Sequence, residues 1–463
     1  MASIISSGIG SGLDVSGLVS QLVAAEGQPA EQRIIRGEAA AQSRLSAYGS
    51  VKSVLSEFRD QLEVMKDLDQ FLTRKASSAN EDLFTVSATT TALPASYSVE
   101  VVQLATAQKL TSGAFVDQDT AVGTGTLQID VGGTAFSLDI TTENNTLAGI
   151  RDAINAASDN SGVAATIVTA DAGSYLILSG EKTGAASGIT ITQSGGDGGL
   201  AALAYDPPGG PTALTETSAA QDALIRVDGF DITSDNNSIT GAIGGITIDL
   251  VQAAAGTTAT LSVSNDTDEV RRTISDFVDS YNELVKTFDK LSAYDAESQV
   301  GGPLLGDASL RSIRDQLRRE MSVSIGQATA TFGTLREIGI ETELNGQMKV
   351  VEEDLSDVLN NDFTSVGQLF ASNSGFAVRL FDVVDGFLAD DGILTSRTEG
   401  LTKTIETYAE QRESLNERLA ALETRLLRQF NAMDALVGQL TSTSNFLTQQ
   451  LANLPTVGGS NRK

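Results

Sequence analysis

The sequence predicts an α+β protein that is multidomain and discontinuous. Long terminal helices are expected to form a coiled-coil or helix-bundle domain, with two nested, mainly antiparallel β domains inserted in the middle. Three observations carry this. Apolar residues toward both ends recur every 3 or 4 positions, the spacing of one helix face. The middle alternates apolar and polar residues between turn glycines, the pattern of half-buried strands. The charge is partitioned too. Residues 76–270 hold 4 basic and 23 acidic side chains, against 8 and 9 in residues 1–75 and 19 and 28 in residues 271–463.

From the amino terminus, Leu13, Val15, Leu18, Val19, Leu22 and Val23 follow helical spacing, and the only charged side chain before Glu26 is Asp14. Residues 31–72 predict a long helix: no proline interrupts them, and Tyr48, Val51, Leu55, Phe58, Leu62 and Met65 step by 3 and 4. Tyr97, Val99 and Val101 predict a strand. Leu127, Ile129 and Val131, then Gly132-Gly133, then Phe136, Leu138 and Ile140 predict a hairpin. Asn145 or Thr146 can cap a short helix carrying Leu147, Ile150 and Ile154. Val163–Ile167, Tyr175–Leu178 and Ile189–Ile191 complete a ββαββ module.

The Gly- and Pro-rich stretch Ser194–Pro211 separates this module from a second strand group. There Ile225 and Val227 turn at Asp228-Gly229 into Phe230 and Ile232, and Ile246, Ile248, Leu250, Leu261 and Val263 are expected to continue the same sheet. Residues 268–291 predict a helix with Val270, Ile274, Phe277, Tyr281, Leu284, Phe288 and Leu291 on one face, and Asp266 with Glu269 resembles a capping box. Gly302–Asp307 reads as a loop opening a helix with Leu310, Ile313 and Leu317. Asn345-Gly346 predicts a two-residue type I′ hairpin. The longest helix is expected from Arg397 to Asn453, stopped by Pro455. Its seam is Leu401, Ile405, Tyr408, Arg412, Leu415, Leu419, Leu422, Leu426, Gln429, Met433, Leu436 and Leu440, and heptads this long specify a supercoil. The shared period predicts that the three long helices pack together. From Ala435 to Asn461 no side chain is charged, although Phe446, Leu447 and Leu451 are apolar.

Nesting brings the chain ends together. The expected domains are 1–44 with 430–463, terminal and helical; 45–76 with 267–429, the helical body; 77–110 with 220–266, a β domain; and 111–219, an inserted β domain.

Composition narrows the chemistry. The 463 residues contain no Cys, His or Trp and carry a formal charge of −29. Without His or Cys there is no zinc site of the usual kind, no Cys nucleophile, no Ser-His-Asp triad and no disulfide. The charge repels phosphate, so no nucleic-acid partner is expected. Carboxylate-only chemistry stays open. Apolar runs fall far short of the ~18 residues a membrane span needs, and the first residues lack the basic region of a cleaved signal.

Chemical-looking motifs have plainer explanations. Gly8–Gly12 has no preceding strand and no following lysine, unlike a phosphate loop. Asp228, Asp231 and Asp235 miss the calcium-loop spacing and fit turn chemistry. Glu352-Glu353-Asp354 fits a solvated helix start. Asn144-Asn145-Thr146 and Asn236-Asn237-Ser238 match only the glycosylation sequon. No catalytic, cofactor or metal residue is predicted, and the chain is not expected to be an enzyme. The charge-free apolar ends suit burial among other chains, because an unpaired buried charge costs several kcal/mol.

Several of these stretches resemble the flagellar hook-associated protein 2 family, the bacterial filament caps. They are Ser11–Val15 with Leu18-Val19 and Leu22-Val23; Asp279–Val285 followed by Gly302–Asp307 and Leu310-Arg311; and Asp391–Leu394 with the long helix ending in Phe430–Asp434. Residues 125–184 are similar to a module shared by flagellins and hook proteins. The resemblance spans essentially the whole chain.

It implies a homo-oligomeric ring, a pentamer, at the distal end of the flagellar filament. There it would promote flagellin insertion and prevent loss of exported flagellin. It implies flagellin, hook-filament junction proteins and an export chaperone as partners, and type III export to the flagellar tip. The body seam is expected at Tyr48, Leu55, Phe58, Leu62, Val270, Ile274, Phe277, Tyr281, Leu284, Phe288, Leu401, Ile405, Tyr408, Leu415, Leu419, Leu422 and Leu426. Terminal legs would assemble through Leu13, Val15, Leu18, Val19, Leu22, Val23, Met433, Leu436, Leu440, Phe446, Leu447 and Leu451. The alternative is a surface adhesin that binds host mucin or glycan through its β domains.

Overall fold

Helix α1 (Val15–Met65) starts where Asp14 accepts the Gly17 N–H at 2.9 Å. It is longer at its start and shorter at its end than the 31–72 expected. It continues through Pro29, which lacks one backbone donor, where a partner helix packs along this stretch. The structure, a computed structural model, describes residues 14–297, 299–325 and 331–453. Leu13, the Gly8–Gly12 run and Pro455 lie outside them. No described helix is long and apolar enough to cross a membrane.

The described residues form two compact units. The helical unit draws on Met1–Leu68, Arg272–Val358 and Ser365–Lys463, and the β unit on Asp69–Arg271 and Leu359–Thr364. The other helices are α2 (Leu147–Ala156), α3 (Thr267–Ser292), α4 (Ala308–Ser322), α5 (Glu352–Asn361), α6 (Phe363–Ala371), α7 (Phe376–Leu388) and α8 (Ile393–Ala452).

In the helical unit, Leu55, Phe58, Leu62 and Met65 of α1 are fully buried. Phe58 stacks at 5.8 Å from Phe277 and 5.9 Å from Tyr281 of α3, and Phe277 meets Phe370 of α6 edge-on at 5.7 Å. Such aromatic pairs add about 0.5–1.5 kcal/mol each beyond area burial. Asp266 caps α3 by accepting the Glu269 N–H at 3.0 Å.

The Asn345-Gly346 expectation needs correcting. The strands Ile340–Thr342 and Met348–Val350 pair, but Glu343 and Gln347 close a longer loop, with the Glu343 N–H on the Gln347 carbonyl at 2.8 Å. Only Gly346 takes a positive φ, 85°, so the turn is type I with a glycine bulge rather than type I′. Asn345 instead accepts the Gln347 N–H at 2.8 Å.

The β unit contains β1 (Arg74–Ser78), β2 (Phe84–Ala88), β3 (Ala95–Gln103), β4 (Lys109–Thr111), β5 (Gly125–Val131), β6 (Thr134–Ile140), β7 (Val163–Ala170), β8 (Gly173–Gly180), β9 (Ile189–Ser194), β10 (Thr215–Ser218), β11 (Ala223–Val227), β12 (Phe230–Ser234), β13 (Ser238–Ile243), β14 (Ile246–Leu250) and β15 (Thr258–Asn265). It has two cores. One lies between a five-stranded sheet, β1-β15-β3-β11-β12, and a three-stranded sheet, β13-β14-β2. Phe84, Val99, Val101, Ile225, Ile248 and Leu261 fill it. The Ile246–Leu250 strand thus leaves the sheet that sequence alone assigned it to, and pairs antiparallel with β2 and β13. Its Ile246, Ile248 and Leu250 face would suit either sheet locally; the distant β2 decides which one it joins.

The second core lies between β6-β5-β9 and β10-β4-β8-β7, with α2 packed on β7. Leu127, Ile129, Ile150, Ile154, Leu176 and Ile191 fill it. The strands of the ββαββ module are therefore divided between two sheets. Of the two caps considered for α2, Thr146 is the one used, accepting the Gly149 N–H at 3.1 Å. The Asp228-Gly229 turn has φ of 48° and 89°, and Asp228 accepts the Ser98 N–H at 2.8 Å. Asp231 pairs with Arg226 at 2.7 Å, and Arg226 with Glu100 at 2.9 Å. These aspartates serve turn and ion-pair chemistry.

Candidate functional site

The residues singled out for assembly fall on α1, α3 and α8, and α1 serves two packings. Its second half belongs to the body. Tyr48, Leu55, Phe58 and Leu62, with Val270, Ile274, Phe277, Tyr281, Leu284 and Phe288 of α3, are at most 3% exposed. Its first half pairs antiparallel with α8. Leu415 of α8 is buried, whereas Leu401, Ile405, Tyr408, Leu419, Leu422 and Leu426 are half-buried. The single three-helix seam expected from the shared period is thus resolved into a closed body and a two-helix ribbon. A two-helix contact covers one side of each helix only, so the ribbon leaves its seam partly open.

Small residues set the ribbon's spacing. A side chain at Gly27 would place its Cβ 2.5 Å from Leu419 Cδ1, and one at Gly37 would sit 2.5 Å from the Tyr408 ring and hydroxyl. Gly27, Ala30, Ile34, Gly37 and Ala41 step by 3 and 4 along α1. The smallest of them let the α8 side chains enter as knobs. Sequence reasoning missed this face because it tracked large apolar residues; the recurrence of small ones was the available signal. Arg412 crosses the ribbon to Glu38 at 3.1 Å. Two grooves follow one another along the pair and meet at Arg418, one of about 770 Å³ floored by Leu22, Leu419, Leu422 and Leu426, the other of about 630 Å³ beside Ile34 and Leu415.

A polar node joins the ribbon's base to the body. The Tyr48 hydroxyl donates to Asp307 Oδ1 at 2.8 Å, and Arg397 Nε donates to Ser309 Oγ at 2.7 Å. Asp307 also caps α4, accepting the Ser309 and Leu310 N–H groups at 2.8 and 3.1 Å. Burial opposes its charge, but the Leu310 N–H, the Tyr48 hydroxyl, the Ser309 N–H and Arg397 together hold its carboxyl below the ordinary range. Burial, then the Asp307 contact, pushes the Tyr48 hydroxyl up to about 12. The node was not visible in sequence: Tyr48 and Asp307 lie 259 positions apart.

Toward the free end the ribbon opens. Val15 and Val19 are buried and Val23 half-buried, whereas Leu18 and Leu22 are exposed. Val15 and Leu18 sit beside Phe430, Met433 and Val437 of α8. The Gly17 N–H and the Ser16 hydroxyl hold the exposed Asp14 carboxyl below its usual range. Met433, Leu436, Leu440, Phe446, Leu447 and Leu451 are 49–67% exposed. From Gln439 to Asn453 every residue is exposed, about 20 Å of helix at 1.5 Å per residue. Among the described residues no cluster of acidic side chains could hold a metal ion.

Two family models match this chain: the flagellar hook-associated protein 2 N-terminus over residues 11–108 and its C-terminus over residues 220–442. The B-type flagellar hook-associated protein 2 of Pseudomonas aeruginosa is 35% identical, covering 97% of this chain and 98% of the relative. That of Escherichia coli K12 is 33% identical over 98% and 99%. The crystal structure of the flagellar cap protein FliD D1-D2-D3 domains from Escherichia coli is similar with a TM-score of 0.68 and 30% identity, covering 77% of this chain and 99% of that one. The mucin-binding reading of the β domains has no support in these relatives.

Proposed function

The chain belongs to the flagellar hook-associated protein 2 family, and on that premise we propose that it caps the flagellar filament and promotes flagellin insertion at the tip. One observation carries the structural side of this reading. An α8 buttressed at its base ends in an exposed, charge-free stretch that spaces Leu440, Phe446, Leu447 and Leu451 among small polar residues, suited to being covered by other chains.

In this reading the cap is a ring of copies, a pentamer, exported unfolded to the flagellar tip. Flagellin, the hook-filament junction proteins and an export chaperone are its partners, and no catalytic step or cofactor is involved. Residues 1–44 with 430–463 act as legs, 45–76 with 267–429 as the body, and 77–110 with 220–266 and the inserted 111–219 as the β plate. The exposed, uncharged end of α8 supports the leg assignment there, whereas the ribbon, which seats Leu419 on Gly27 and Tyr408 on Gly37, continues across the 429/430 boundary; the two β cores support the division of the plate.

A cap must hold the filament yet advance as each subunit enters. The leg chemistry suits reversible contact. Thr443 donates to the Gln439 carbonyl at 2.9 Å and Thr448 to the Ser444 carbonyl at 2.8 Å. These hydroxyls are satisfied within the helix, so covering and uncovering them breaks no bond to a partner. Contact then rests on scattered leucines, each worth about 1.5–3 kcal/mol when fully buried.

Deleting 435–463 tests the proposal. The expected outcome is loss of filament growth with the circular-dichroism spectrum of a folded body. Normal filaments from that truncation would overturn it.

A further inference from the structure

Helix α4 is out of character with the chain. It carries Arg311, Arg314, Arg318 and Arg319 against Asp315 and Glu320, and it is the only described helix with a net positive charge. Arg311, Arg314 and Arg318 follow one another at 3- and 4-residue steps, so they form one ridge. Leu310, Ile313 and Leu317 are buried on the adjacent face of the helix, and α4 packs on α7. Arg314 is engaged, 2.8 Å from Asp289. Arg311, Arg318 and Arg319 are exposed and form no ion pair among the described residues. The Arg318 guanidinium lies beside Gly346, where a larger residue would meet it. Beside the ridge lies a cleft of about 220 Å³ lined by Ser292, Leu304, Gly306, Leu310, Arg311 and Arg314. Asp307 on its wall is already taken up by Tyr48 and the α4 amides.

Copies of a chain carrying −29 repel one another, and beyond a Debye length of about 8 Å that repulsion is screened. Close contact between copies therefore needs local complementarity. The complement is in the chain itself: residues 76–270 hold 23 acidic and 4 basic side chains. Arginine forks bind carboxylates in a bidentate way and are the usual choice at ionic interfaces.

We propose that the Arg311–Arg318 ridge of α4 is a docking surface for the acidic β unit of a second copy of this chain. The assignment rests on the ring reading above and adds the surface through which copies meet. It orders the contact between unlike units, helical to β, so each copy offers one basic and one acidic face. Such a heterologous contact forms a ring when the rotation between successive copies closes.

The test is sedimentation velocity of the full chain from about 50 to about 300 mM salt, for wild type, Arg311→Glu/Arg318→Glu and Arg311→Gln/Arg318→Gln. Wild type is expected to self-associate less as salt rises. The Glu pair is expected to associate at least about ten-fold more weakly with a flatter salt response, and the Gln pair to fall between; the Gln pair carries the test if the Glu pair does not fold. Variants that associate like wild type would overturn the surface while leaving the ring intact, whereas a wild type monomeric throughout would overturn both. The occupant is read separately. The chain has no cysteine, so Ser322→Cys gives one attachment point for a photo-activated cross-linker. In mixtures of isotope-labelled and unlabelled copies, inter-copy products within residues 76–270 are expected, and products confined to residues 272–453 would overturn the assignment.

Discussion

Two stretches of the helical unit carry the same apolar rhythm and meet opposite fates. In α1, Leu55, Phe58, Leu62 and Met65 are each 0% exposed. In α8, Leu436, Leu440, Leu447 and Leu451 are 53–67% exposed. Spacing creates a face but does not name what covers it. For the first stretch the cover is α3 of the same chain. The second is open, and the lack of charge from Ala435 onward keeps it fit for burial elsewhere. The same helical grammar thus gives a closed core at one end of the unit and an open face at the other.

The sharpest way to break the comparison is Phe58→Ala. It removes a ring packed on Phe277 and Tyr281 and should cost about 3–5 kcal/mol, read by chemical denaturation of the full chain. A loss below about 1 kcal/mol would show that the body is not packed as described. Between the extremes sits the ribbon. Gly27→Val drives a side chain into Leu419 and should cost about 1–3 kcal/mol through overpacking, seen as a lower melting temperature and weaker cap activity. A neutral result would mean that α8 does not approach α1 closely there.

The node at the ribbon's base is next. Asp307→Ala loses a helix cap and should cost about 0.5–2 kcal/mol. Its pH signature follows from the direction of the shift. The folded carboxyl titrates below its unfolded value of about 4, so its contribution is present above that value and lost as pH falls through the lower folded value. Melting temperature should drop below about pH 4, and less steeply in Asp307→Asn. Equal slopes would remove the node from the account. Tyr48 works at the other end. Its value rises to about 12 when folded, so its contribution is present below about pH 10 and lost as pH rises beyond. The smallest effect on stability belongs to the legs. Leu447→Ala should change unfolding by no more than about 0.5 kcal/mol yet reduce filament growth. A large stability loss would place Leu447 inside a fold rather than at a contact.

Much of this was readable from local pattern. The hairpins at Gly132-Gly133 and Asp228-Gly229, the α2 cap at Thr146 or its neighbour, and the extent of α3 depend on residues within a few positions of each other. The misreadings share a cause. Whether Ile246–Leu250 joins β15 or β2 depends on strands more than 150 residues upstream. The Asn345-Gly346 loop lengthens because Asn282 of α3 clamps Met348, accepting its N–H at 2.7 Å and donating to its carbonyl at 2.9 Å. Pro29 sits inside α1 where α8 packs beside it, and a local propensity yields to such packing.

By itself the sequence determined where most of the helices and strands form, though not α6 and α7, which faces are apolar, and that charge gathers in the β unit and vanishes at the ends. These follow from periodicity and composition, which are properties of neighbours along the chain. Only the tertiary structure decided which apolar faces are spent inside the molecule and which stay open. It alone brought Tyr48 to Asp307, seated Leu419 on Gly27 and left Arg311, Arg318 and Arg319 of α4 facing solvent. The physical reason is that burial and pairing are set by residues hundreds of positions away, and no local rule carries that distance.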